Sequence, residues 1–154
     1  GVSVGDEDHV KGAVEELGTL ALWKLAIKPG KPLAYGRILG KPFFGLPGNP
    51  VSSFVTFLLA VGPVLRALQG QPAGFAQALS LPAHFDWPRP DRRREFLRVR
   101  RNGEGGLDLF PNQSSGVLTS AVWADGLVDN PPSRAITHGN LVAYRPWGDL
   151  LGLA

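Results

Sequence analysis

The chain has 154 residues, a net charge of +3, and side chains that are 44% hydrophobic and 19% charged, the proportions of one ordinary globular domain or two small ones. It contains no cysteine, which excludes disulfides, zinc–thiolate centres and thiol nucleophiles and suits a cytoplasmic protein. It contains no methionine either and opens on Gly1, as expected of a piece of a longer or processed chain.

Residues 1–6 read as a strand end running into a glycine-containing loop. Asp6 is placed to cap a helix in which Val10, Ala13, Val14 and Leu17 recur at helical spacing, with Gly18 as its stop. Asp6, Glu7 and Asp8 in a first turn would complement the helix dipole, at roughly 0.3–1 kcal/mol each. Residues 20–27 form an apolar run of strand length, with Lys24 marking an edge or a strand end.

The stretch from Ile27 to Pro50 carries the chemistry. Two rigid loops, Lys28-Pro29-Gly30-Lys31-Pro32 and Leu46-Pro47-Gly48-Asn49-Pro50, are joined by a pair of short apolar strands. Lys28 and Lys31 present two ammonium groups from one loop. Asn49 and Pro50 suit the N-cap and first position of a helix, whose free N–H groups and dipole attract anions. Either loop alone would be an ordinary turn; together they read as a cradle for a phosphorylated or otherwise anionic ligand. An acidic stretch, Asp6 to Glu16, precedes the basic residues Lys24, Lys28, Lys31, Arg37 and Lys41, an order that could organise a metal ion and an anion together.

Residues 49–70 carry the longest helical pattern, through Phe54, Val55, Leu58, Val61, Leu65 and Leu68. Its polar and glycine interruptions argue for a core helix rather than a membrane span, and Pro63 should kink or split it. Turn residues at 71–74 mark a domain boundary. Beyond it, short strands at 96–99, 107–110 and 141–144, with a hairpin signal at 101–106, suggest a small sandwich or barrel. His9, His84 and His138 lack metal-ligand spacing, and the serines lack a nucleophile elbow. Few aromatics interleave with the arginines at 89–101, so nucleic acid is not the expected partner. The basic run 92–98 and the turn 112–116 gain interest only if they face the lysine loops.

Six stretches now form an ordered set: GVSVGDED at 1–8, KPGKP at 28–32, GLPGNP at 45–50, REFLRV at 94–99, NQSSG at 112–116 and ADGLV at 124–128. Their order resembles the molybdopterin molybdenumtransferase family, which is related to the C-terminal part of gephyrin. The resemblance covers essentially the whole chain but only the last third or so of the family's architecture. It implies the C-terminal part of a three-layer α/β molybdopterin-binding domain at 1–72, followed by a small all-β barrel at 73–154. It implies insertion of molybdate into adenylylated molybdopterin with release of AMP, magnesium as the metal, a cytoplasmic homodimer, and contact with the molybdopterin adenylyltransferase. No membrane partner is implied, and the chain alone is expected to be inactive. By resemblance Ser3 and Asp8 belong to the pterin and metal site, with Asp8 the magnesium ligand. Lys28, Lys31 and Pro32 form the loop that receives molybdate or phosphate, and Pro47 and Pro50 the rigid loop flanking it. Arg94 and Ser115 reach the oxyanion from the second domain, with Arg98 and Ser114 as alternatives for these two. Asp8, Lys28 and Lys31 are the catalytic candidates. The rival reading is a gephyrin-like scaffold that holds a peptide; it does not require these residues to be kept together.

Overall fold

The computed structural model describes residues 9–153 except 73 and 76, and the fold is mixed α/β. Ser3, Asp6 and Asp8 lie outside the described residues. Helix α1 (His9–Leu17) forms where the spacing places it, but of Val10, Ala13, Val14 and Leu17 only Val14 is buried. Gly18 does not end it in a left-handed cap. It opens strand β1 (Gly18–Lys24) opposite Ile38, where a Cβ would run into the Arg37 carbonyl. A close backbone approach, rather than a positive φ, is what requires glycine there.

Strand β1 ends at Lys24, β2 (Ile27–Lys28) is a two-residue piece, and β3 (Pro32–Ile38) and β4 (Lys41–Gly45) form the hairpin between the two loops. One antiparallel sheet runs in the order β1-β3-β4. Strand β2 belongs to a second sheet, lying parallel to β6 (Arg94–Arg101). From β6 that sheet continues through β8 (Gly126–Asn130) and β9 (Leu141–Pro146) to β5 (Leu79–Pro82), with β7 (Leu107–Leu109) on the other side of β6. The expected barrel is therefore not a closed ladder among the described residues. The sheet curls, and β5 approaches β7 only through a single bridge between Ala83 and Leu107. Its concave side holds Leu97, Val99, Leu107, Val128, Ile136, Val142 and Tyr144.

Residues Pro50–Leu68 form one continuous rod: α2 (Pro50–Thr56), a π turn (Phe57–Val61) and α3 (Gly62–Leu68). Pro63 neither donates to residue 59 nor tolerates its carbonyl close by, and the wider π turn just before it absorbs the mismatch without splitting the helix. By length and composition this rod is apolar enough to cross a membrane despite its polar interruptions. What places it is packing: Val51, Val55 and Leu58 close over Phe96, Leu127 and Leu150 of the second sheet and the C-terminal helix α4 (Trp147–Leu151). The segments 1–72 and 73–154 thus share a strand pairing and an apolar cluster.

The lysine loop docks on the same rod. Gly30 has φ +111°, and a Cβ there would meet the methyl of buried Thr56. Gly30→Ala should lower unfolding stability by about 1–3 kcal/mol and lift the loop off the helix. Urea denaturation checks the first effect and amide exchange at Lys31 the second.

Candidate functional site

Three segments distant in sequence converge on a cleft of about 380 Å³. One wall is the loop Lys28-Pro29-Gly30-Lys31-Pro32, closed at its base by the Leu25 N–H bonded to the Lys31 carbonyl at 2.8 Å. A second wall is Asn49 and Ser52 at the start of the long helix, and a third is Gln113, Ser114 and Ser115; Arg93 completes the rim. The helix start and the serine turn are tied together, because Val51 N–H donates to the Ser115 carbonyl at 3.1 Å. Asn49 occupies the N-cap position in extended backbone, but its side chain makes no capping bond. Pro47 is buried behind the cleft, where its carbonyl accepts the Ser53 hydroxyl, and Pro50 opens the helix as expected.

The charges are arranged in a chain. Arg93 donates to Asp91 through Nε at 3.0 Å and Nη2 at 2.8 Å, and its backbone N–H donates to the same carboxylate at 3.0 Å. These hydrogen bonds hold Asp91 well below the usual carboxylate range and raise Arg93 in turn. Lys28 lies between Asp91 Oδ2, at 3.5 Å, and Glu95 Oε1, at 3.3 Å. Glu95 is 1% exposed and also accepts the Trp87 indole N–H at 2.8 Å. Arg93 and Lys28 are therefore already matched by two carboxylates. Lys31 is exposed and has no ion pair among the described residues, so it supplies the cleft's net positive charge.

Arg94 is elsewhere. Its Nε and Nη2 donate to Asp129 at 2.5 and 2.9 Å, and Asp129 also accepts Arg145 Nε at 3.3 Å. That group borders a second, more apolar cleft of about 400 Å³ with Leu25, Ile27, Leu59, Phe75 and Phe96. Of the residues expected at the oxyanion, Lys28, Lys31, Pro32 and Ser115 come together, joined by the alternative Ser114. Arg94 does not join them, and Arg98 lies buried beneath the serine turn. The arginine of the lysine cleft is Arg93, from the basic run 92–98; it is joined by Asn49 from the expected cradle and by Gln113 from the turn 112–116, and Ser52 alone is unforeseen. A signal for Arg93 was present in Asp91, whose carboxylate can bond the backbone two residues on and so fix the turn.

Residues 1–67 match the family model described as a probable molybdopterin binding domain, and residues 80–147 match the MoeA C-terminal region, domain IV. The chain is 35% identical to the molybdopterin molybdenumtransferase of Haemophilus influenzae, over 99% of this chain and 39% of that protein. It is 39% identical to the molybdenum cofactor synthesis protein cinnamon of Drosophila melanogaster, over 85% of this chain and 23% of that protein. The crystal structure of the molybdopterin biosynthesis moea protein from Pyrococcus horikosii superposes with a TM-score of 0.71 at 32% identity, covering 89% of this chain and 35% of that one. The chain belongs to the molybdopterin molybdenumtransferase family.

Within that family the chain matches the C-terminal part, spanning 39% of the Haemophilus relative. The lysine cleft lies where the two matched regions meet: Lys28, Lys31 and Asn49 come from the first, Arg93, Gln113 and Ser115 from the second.

Proposed function

We propose that this chain supplies the oxyanion-binding part of a molybdopterin molybdenumtransferase, the enzyme that inserts molybdate into adenylylated molybdopterin and releases AMP. The observation that carries this reading is the convergence of Lys28, Lys31, Arg93 and Ser115 on one cleft, drawn from both matched regions. Molybdate is a compact dianion, best held by charge-assisted donors arriving from several directions. In this reading Lys31 attracts it, the Arg93 guanidinium and Ser115 hydroxyl orient it, and Lys28 turns from Asp91 and Glu95 toward the new charge. No side-chain nucleophile is required, since the pterin dithiolate brings sulfur to the molybdenum. The protein's contribution is positioning and charge neutralisation.

The same reading includes a cytoplasmic homodimer that receives its substrate from the molybdopterin adenylyltransferase. Magnesium is assigned no ligand set. Among the described residues no three His, Cys, Asp or Glu side chains group together, Asp91 and Glu95 already engage cations, and Asp8 lies outside them. A scaffold would have no need to keep Lys31 and Arg93 in one cleft.

Titration of molybdate into the protein by calorimetry tests the reading. Lys31→Ala should weaken binding by about tenfold, the scale of one charge-assisted contact at a partly exposed site. An unchanged dissociation constant would remove Lys31 from the site, and no binding by the unaltered protein would remove the oxyanion reading itself.

A further inference from the structure

The carboxylate that faces Lys28 is far more enclosed than Lys28 itself. Glu95 and Lys28 are register partners across the parallel pairing of β2 and β6, yet the lysine side chain is 40% exposed and the glutamate side chain 1%. Glu95 turns one oxygen to each of two donors. Oε1 lies 3.3 Å from Lys28 Nζ, and Oε2 accepts the Trp87 indole N–H at 2.8 Å. Lys28 is its only ion-pair partner among the described residues. The other groups around it are engaged elsewhere. Arg93, which the Glu95 charge supports through space, donates to Asp91, and Arg94 turns to Asp129. Asn130, opposite Glu95 on β8, gives its amide N–H to the Arg134 carbonyl. Asp91 also touches Lys28, but its side chain is 22% exposed and it keeps three hydrogen bonds from Arg93 when the lysine leaves.

Lys28 lines the cleft, so a dianion bound there competes with Glu95 for the same ammonium group. The exposed lysine is able to turn; the buried carboxylate is not. Once Lys28 has turned, Glu95 is left enclosed with one neutral donor, the Trp87 indole. A buried carboxylate in that position is costly, and it removes the cost by taking a proton. We propose that oxyanion binding in the cleft is coupled to protonation of Glu95, the proton coming from solvent to Oε1, the oxygen that Lys28 vacates. Glu95 is then a positioning residue: it holds the ammonium group in the empty cleft and releases it as a neutral acid. This rests on the oxyanion reading of the cleft, and deepens it to the uptake of an anion together with a proton. The complex holds one more proton than the free protein, so affinity falls as pH rises, by up to about tenfold per pH unit.

Molybdate titrations by calorimetry at neutral pH, in buffers of different ionisation enthalpy, count the protons. The observed enthalpy should rise with the ionisation enthalpy of the buffer, with a slope of about one proton taken up. A slope of about zero in the unaltered protein would overturn the coupling while leaving the cleft an oxyanion site. Glu95→Gln has no carboxylate to protonate. Its slope should vanish, and its affinity should stay level over the pH unit in which that of the unaltered protein falls about tenfold. A Glu95→Gln protein that binds weakly but keeps the slope would mean that Glu95 is only structural, and would overturn its role. If Glu95→Gln does not fold, infrared difference spectra decide the question. Molybdate should bring up a protonated-carboxyl band in the unaltered protein, and Trp87→Phe should shift that band, because the indole N–H bonds the same carboxyl. No band, or a band indifferent to Trp87→Phe, would overturn the assignment to Glu95. Failure of the unaltered protein to bind molybdate would instead overturn the reading on which the coupling rests.

Discussion

Arg93→Ala is expected to weaken molybdate binding by about tenfold to a hundredfold, while Arg94→Ala leaves it within about twofold. The two arginines are adjacent, but only Arg93 borders the lysine cleft; Arg94 is turned to Asp129. Loss of Arg93 acts twice. It removes the guanidinium charge and the N–H donors not given to Asp91, and it frees the Asp91 carboxylate, whose negative charge then stands beside the incoming anion with only Lys28, 3.5 Å away, to oppose it. The Arg93→Ala/Asp91→Ala double variant should therefore recover part of the loss, which a double-mutant cycle by calorimetry would measure. If Arg94→Ala carried the loss and Arg93→Ala did not, the oxyanion contact would return to Arg94.

Leu127→Ala should cost about 2–5 kcal/mol of stability and lower it across the whole chain in one transition. Leu127 is fully buried on β8 in the cluster with Val51, Val55 and Leu58 from the long helix and Phe96 and Leu150 from the second half. Truncating it opens a cavity at the contact between the segments 1–72 and 73–154, so neither should be spared. The parallel pairing of Ile27 and Lys28 with Arg94 and Glu95 adds a backbone link across the same boundary. Urea unfolding followed by tryptophan fluorescence and far-ultraviolet circular dichroism provides the check. Two separated transitions, with only one moved by the substitution, would mean that the proposed units 1–72 and 73–154 hold independent cores.

The parts of this protein legible in the sequence are those governed by neighbours a few residues apart. The spacing of Val10, Ala13, Val14 and Leu17 sufficed for α1, and Pro50 for the start of the long helix. Lys28, Gly30 and Lys31 sufficed for a shaped basic loop, because proline and glycine act on their own φ angles. The six ordered motifs sufficed for the family. Beyond the local signal of Asp91, tertiary structure decided that Arg94 turns away from the cleft. In extended chain a shift of one residue changes the face, and here the choice was made by Asp91 and by Asp129, the latter 35 residues away. It also decided that Arg98 goes inward, since no local pattern says that a glutamine at 113 will pair with its backbone. The two residues of β2 join the distant sheet for a like reason: strand pairing is a long-range choice, and a two-residue strand carries too little periodicity to announce its partner.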